Sequence, residues 1–148
     1  MASAEFKFDL RELDGLAELL DGARLSSDDR RQLLTDIGTE VEAQTQERFD
    51  NQRDPQGNPW QQLAEKTREW YVRNGMGHGF LLDQSGGLRD SLTMEVDDWP
   101  VLVGATKIYA ATHQYGRGGI PARPYLGMSS SNANEIMELA RNFIAGRL

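Results

Sequence analysis

The sequence predicts an α+β domain: a small antiparallel sheet with helices packed on it, including a long helix in the N-terminal half and another at the C-terminus. Three features carry this. Phe6, Phe8 and Leu10 alternate with Lys7 and Asp9, the period-two mark of a strand, and the alternation returns over Ser91–Val96. Between them a helical repeat runs from about Ser26 to Phe49. A second helical stripe closes the chain at Ile136, Met137, Ala140, Phe143 and Ile144. At 148 residues the chain reads as one domain over 1–148. That length buries about 70% of the unfolded surface with no need of a disulfide.

Taken in order, the first strand gives way to a helix in which Leu10, Leu13, Leu16, Ala17 and Leu20 share a face, ending at Gly22. Its start can lie as early as Asp9. Ser26 or Ser27 is an N-cap, and Asp28 and Asp29 follow where the helix dipole favours anions. The long helix then spans about 22 residues, or ~33 Å. Its apolar positions are Leu33, Leu34, Ile37, Val41 and Phe49, with Thr45 completing a spacing of four. That spacing advances the stripe about 40° per step, so either the helix curves or its two ends pack on different partners, another subunit being one candidate. Residues 50–60 form a turn-rich loop punctuated by Pro55, Gly57 and Pro59, and Trp60 after it needs a packing site. A helix is expected from Gln61 to Arg73, with Leu63, Thr67, Trp70 and Tyr71 towards one side; Asn74–Gly79 breaks it. Phe80–Leu82 is a short apolar piece, and residues 74–87 hold five glycines. Ser91–Val96 and Val101–Gly104, separated by Asp97-Asp98-Trp99-Pro100, read as a hairpin. Asn132 is the expected cap of the last helix, with Glu135 at the capping-box position.

The formal charge of −7 is uneven. Residues 1–60 hold 14 acids and 7 bases, whereas residues 61–148 hold 9 of each. An acidic first half opposes a protein that grips DNA phosphates, which needs clustered cations. The absence of cysteine excludes a disulfide framework, a thiol nucleophile and a thiolate metal site. Met1 leads into residues 2–10 with neither a basic nor an apolar leader region, so no secretory signal is expected. No apolar run is long enough to span a membrane.

The most constrained stretch is Lys107–Gly127. A segment bearing Tyr109, His113 and Tyr115 breaks at Gly116, Gly118 and Gly119, then becomes Ile120-Pro121-Ala122-Arg123-Pro124-Tyr125. Each proline fixes its own φ and drives the residue before it towards extended backbone. Arg123 and Tyr125 therefore stand on a stiff arm that places side chains accurately, within the core or on a partner. For Arg123 two readings stand side by side: a bidentate pair with a neighbouring subunit's carboxylate, or an internal anchor on a carboxylate or carbonyl.

Enzymatic chemistry finds little footing. His78 and His113 are the two histidines, with no HExxH or comparable metal-ligand spacing. Gly75-x-Gly77-x-Gly79 lacks the Lys-Ser/Thr of a phosphate loop and reads as a connector. The pairs Asp28-Asp29 and Asp97-Asp98 suit a cap and a turn; adjacent carboxylates do not face each other across a cleft. No G-x-S-x-G elbow occurs. Trp60, Trp70 and Trp99 lack accompanying bases and read as core or interface anchors.

The order of several motifs resembles the phage virion morphogenesis, or tail completion, family of Mu-like contractile-tailed phages. Phe49 ends a long helix and is followed by Pro55, Gly57, Trp60, Leu63 and Thr67. Leu81-Leu82 precedes Gly86, Leu88 and Ser91. Val103-Gly104 precedes Tyr109 to Gly116, and Ile120 to Gly127 completes the pattern, with Tyr125 where the family carries Phe. The resemblance covers about residues 33–145. Departures are Gln84-Ser85-Gly86, where a Thr-Gly is usual, and the short link Arg117–Gly119. The resemblance implies a structural virion protein without catalysis or cofactor. It would complete or terminate the tail and enable head–tail joining, as a homo-hexameric ring at the head–tail junction or head-proximal tail end, after assembly in the host cytoplasm. Its implied partners are tail tube, sheath and neck proteins; DNA would pass through the ring without sequence-specific binding. A neck or head-closure connector is the alternative. Tyr109, His113, Tyr115, Arg123 and Tyr125 are the expected subunit contacts or structural anchors.

Overall fold

A computed structural model describes residues 6–9, 13, 15–75, 87–96, 101–107 and 109–147. The elements are β1 (Phe6–Asp9), α1 (Leu16–Ala23), α2 (Ser27–Asn51), α3 (Glu65–Arg73), α4 (Gly87–Asp90), β2 (Leu92–Glu95), β3 (Leu102–Ala105), α5 (Ala110–Tyr115) and α6 (Ser130–Ala145). The α+β expectation holds, with the long helix and the C-terminal helix where the periodicity put them. His78, the Phe80–Leu82 piece and the Asp97–Pro100 turn lie outside the described residues.

The sheet has the order β1-β3-β2, and both pairings are antiparallel. β3 is central: Ala105 pairs with Phe6 on one side and Leu92 on the other, and Leu102 pairs with Asp9 and Glu95. Val103 and Ala105 are buried, as are Val101 just before the strand and Leu92 on β2.

α2 lies across this sheet. Ser26 is its cap, the Ser26 hydroxyl accepting from the Asp29 amide at 3.1 Å. Gly38 sits at the crossing. A Cβ there would lie 2.5 Å from Met94 Sδ and 3.3 Å from Val101 Cγ1, so a larger residue would force the Met94 side chain aside and crowd Val101. The predicted stripe is buried throughout, from Leu33, Leu34, Ile37 and Val41 to Thr45 and Phe49. Of the two outcomes open to the drifting stripe, the second is found: the two ends of α2 meet different surroundings, both from this same chain, the sheet near Gly38, and Trp60 and Tyr125 against Phe49. Trp60 reaches Phe49 because the preceding loop is tightly closed. Asp54 Oδ1 accepts from the amides of Gln56 and Asn58, both at 2.9 Å, and the Trp60 amide donates to Gln52 O at 2.8 Å.

α6 packs on α2 and α1, with Ile136 and Ala140 fully buried and Met137, Phe143 and Ile144 partly so. α1 contributes Leu16 and Leu20. Among the described residues, no helix is long and apolar enough to cross a membrane.

Three boundaries differ from the expectations. α1 starts at Leu16, where Gly15 in the left-handed region turns the chain. α3 starts at Glu65 and not at Gln61, because the carbonyls of Gln61 and Gln62 face Arg123, as described below. α6 is capped by Ser129, three residues before Asn132. Ser129 Oγ accepts from the Asn132 amide at 3.0 Å, and Asn132 Oδ1 accepts from the Ser129 amide at 3.3 Å, so Asn132 is the reciprocal member of the box and not its cap.

Candidate functional site

The arm of Lys107–Gly127 is stiff on its own account, and the fold then ties it down residue by residue. α5 is short, spanning Ala110–Tyr115, and ends at Gly116 with φ 79° and ψ 157°. A Cβ at Gly116 would lie 2.8 Å from Ala122 N and 2.9 Å from Ile120 O. Only glycine fits there, in conformation and in space. The chain then doubles back through a tight turn, with paired hydrogen bonds between Arg117 and Ile120 at 3.0 and 2.9 Å.

The returning segment is held by side chains from three directions. Gln114 of α5 is buried; its Oε1 accepts from the amides of Tyr125 and Leu126, each at 3.0 Å, and its Nε2 donates to Leu126 O at 2.8 Å. Trp60 Nε1 donates to Pro124 O at 2.7 Å. Arg48 of α2 donates through Nη1 to Tyr125 O and through Nη2 to Asn132 Oδ1, both at 2.8 Å. Arg48 is only 6% exposed. Burial pushes its pKa down to about 10, against the pull of Glu47 and Asp54, and it stays cationic at neutral pH. A cation so placed ties the long helix, the arm and the cap of α6 into one unit. Next to it, Gln44 Nε2 donates to Glu135 Oε2 at 3.0 Å, while Gln44 Oε1 is buried without a partner among the described residues.

The five predicted residues divide into two groups. Arg123 is buried: its Nε donates to Gln61 O at 2.7 Å, its Nη2 lies 3.4 Å from Gln62 O, and its amide donates to His113 O at 2.7 Å. These carbonyls delay the start of α3, since a residue whose carbonyl faces the guanidinium cannot also aim it along a helix axis. Tyr125 is fully buried against Phe49, ring centroids 5.4 Å apart, and its hydroxyl donates to Ala110 O at 2.9 Å. Burial raises its phenol well above the ordinary tyrosine range, with a further contribution from Tyr115. His113 stacks edge-on against Tyr109, centroids 5.5 Å apart. Burial lowers its pKa, and the positive Arg123 lowers it further. Tyr115 and Tyr109, by contrast, are 66% and 37% exposed; Ile120, outside the predicted five, is 45% exposed near Tyr115 at the turn end of the arm.

Arg48 and Gln114 are contacts that the sequence pattern does not single out. Arg48 carries a signal: it falls between Thr45 and Phe49, on the inward arc of α2, where an unpaired cation would be costly. Gln114 stands inside the Tyr109–Gly116 motif, but nothing in its spacing reveals that its amide matches two N–H groups and a carbonyl farther along the chain.

α3 contrasts with the arm. None of its residues is buried against the described chain, and Trp70 and Val72 are 51% and 62% exposed. The expected one-sided packing of Trp70 is therefore absent among the described residues. Those residues also contain no group of three or more His, Asp or Glu that would hold a metal ion.

Comparison with known proteins places these features in context. The sequence profile of the phage virion morphogenesis family matches residues 11–145. The chain is 32% identical over 113 residues to the protein of Escherichia phage Mu named "Putative capsid assembly protein G", covering 70% of this chain and 72% of that one. It is 30% identical over 139 residues to "Mu-like prophage FluMu G protein 1" of Haemophilus influenzae, covering 89% of this chain and 88% of that one. No solved structure matches the chain.

Proposed function

The chain belongs to the phage virion morphogenesis family, and from that premise we propose that it is a structural protein that completes or terminates the tail and makes it competent to join the head, acting as an oligomeric ring. Family membership makes a role in building the virion the starting point. The observation that carries the finer reading is the braced arm. Its base is saturated by internal partners through Arg48, Gln114, Trp60 and Arg123, while its tip exposes Tyr115 and Ile120. A subunit that must close a ring at a fixed angle needs a contact element that does not flex, and rigidity at the base supplies it.

The expected ring is six-fold and sits at the head-proximal end of the tail, beside tail tube, sheath and neck proteins. Six copies multiply the −7 of each chain. A channel lined by part of that acidity repels DNA from the wall, so that DNA slides through and does not bind.

A second reading, a neck or head-closure connector, is favoured by the word "capsid" in the name of the phage Mu relative. The experiment that separates the two is localisation on particles from a phage deleted for this protein and complemented with a tagged copy. Under the tail reading the tag appears on isolated tails, and the deletion yields filled heads with tails that fail to join or grow beyond their normal length. A tag confined to filled heads, with normal tails in the deletion, rejects the tail reading and supports the connector.

A further inference from the structure

The tip of the arm is apolar, exposed and held out. Tyr115 and Ile120 flank an exposed turn through Arg117, Gly118 and Gly119. Gly116 packs against the backbone of Ile120 and Ala122, which fixes the tip relative to α5. Tyrosine and arginine at a projecting apolar tip are the composition of an interface centre.

The charge around the tip says what kind of surface it meets. Residues 99–134 contain no Asp or Glu in a chain that holds 23. Of the three bases in that stretch, Arg123 is buried on carbonyls, whereas Lys107 and Arg117 are exposed. Two separated cations beside apolar side chains are too few to grip a phosphate backbone. They suit an acidic protein surface with small apolar gaps.

This chain displays such a surface. On α2, Asp36, Glu40, Ala43 and Glu47 follow one another at spacings of four, three and four, and so share one face. That face points away from the buried arc of Ile37, Val41, Thr45 and Arg48. Thr39 and Ala43 are exposed on it and are small, leaving a shallow floor between the carboxylates. Asp36 already accepts from Gln32 at 2.8 Å; Glu40 and Glu47 are the carboxylates on offer.

We infer that the turn at Tyr115–Ile120 docks on the Asp36–Glu47 face of α2 in a second copy of this chain, with Arg117 against Glu40 and Glu47. The inference rests on the ring reading above and names the two surfaces that meet in it. They are different patches, so the contact is heterologous, the kind that repeats head to tail and closes into a ring.

The chain has no cysteine, so introduced thiols are the only ones present. Copies carrying Arg117→Cys and copies carrying Glu40→Cys, distinguished by tags of different size, are mixed and oxidised. This is done with the purified full chain and in cells producing particles, alongside native mass spectrometry. The expected result is a mixed disulfide that outweighs either self-link. Arg117→Glu is expected to weaken association at least about tenfold, and Glu40→Arg in the same chain to restore it. Both sites lie outside the buried core, and unchanged thermal unfolding verifies the fold of each variant. A mixed link missing from both preparations, or an Arg117→Cys self-link that dominates, overturns the proposal. A closed ring without the mixed link overturns these surfaces and leaves the ring reading standing; a monomer in both preparations rejects both.

Discussion

Arg48 and Tyr125, 77 positions apart, meet where the guanidinium of the long helix donates to the carbonyl of the proline-braced arm at 2.8 Å. The same guanidinium reaches the cap residue pair of α6 through Asn132. One buried cation thus joins three elements that share no local sequence. Arg48→Met is expected to lower stability by about 3 kcal/mol, because it takes the guanidinium donor from the buried Tyr125 carbonyl and leaves Asn132 Oδ1 with the Ser129 amide alone. Arg48→Lys recovers part of this, since an ammonium lacks the planar fork that serves both acceptors. Urea unfolding checks both variants.

Gln114 makes three hydrogen bonds to the backbone of Tyr125 and Leu126. Gln114→Leu keeps the approximate volume and removes all three. The expected loss is about 2–4 kcal/mol, and the local signature is faster hydrogen exchange at the Tyr125 and Leu126 amides. If those amides keep wild-type protection, the arm is held without Gln114, by Arg48, Trp60, Arg123 and its prolines.

Two glycines are expected to respond to alanine with opposite sign. At Gly116 the left-handed φ and the backbone of Ala122 at 2.8 Å leave no room for a Cβ, and Gly116→Ala should cost about 3 kcal/mol. Gly22 lies within α1, where an added methyl would meet nothing within 4 Å, so Gly22→Ala should stabilise by about 0.5–1 kcal/mol. Thermal unfolding of the two variants is the measurement.

Stability should fall off on both flanks of neutrality. His113 has a lowered pKa when folded. Its contribution is complete above the unfolded value of about 6.5 and is lost as pH falls through the folded value, because the unfolded chain takes up the proton first. Tyr125 has a raised pKa when folded. Its contribution is complete below the unfolded value of about 10 and is lost as pH rises. His113→Gln should flatten the acid flank. Tyr125→Phe should flatten the alkaline one and cost about 1 kcal/mol for the lost bond to Ala110 O. Denaturant midpoints between about pH 5 and pH 11 test both slopes.

Much of the fold was legible in hydrophobic period. The stripe of α2, the stripe of α6 and the β2–β3 hairpin are governed by local spacing, and they stand where the spacing put them. The errors fall where a distant partner outweighs local preference. The helix predicted from Gln61 begins at Glu65 because Arg123 takes the carbonyls of Gln61 and Gln62. Asn132 resembled a cap because its residue type favours one, but Ser129 occupies that position and Asn132 serves both the box and Arg48.

The candidate site was legible as a stretch and not as a set of contacts. The prolines, the glycines and the family pattern marked Lys107–Gly127 and its five side chains. They did not show that Arg123 and Tyr125 lie inside while Tyr115 and Ile120 project outward.

Residue type at short spacing, together with motif order, was enough to set the α+β class, the two principal helices, the stiffness of the arm and the resemblance to phage virion morphogenesis proteins. Which half of the arm is anchored, and which half is left exposed, emerges only once the chain has folded. That choice depends on partners 60 to 80 residues apart in sequence: Arg48 with Tyr125, Trp60 with Pro124, and Arg123 with Gln61. No local pattern encodes where those carbonyls come to rest.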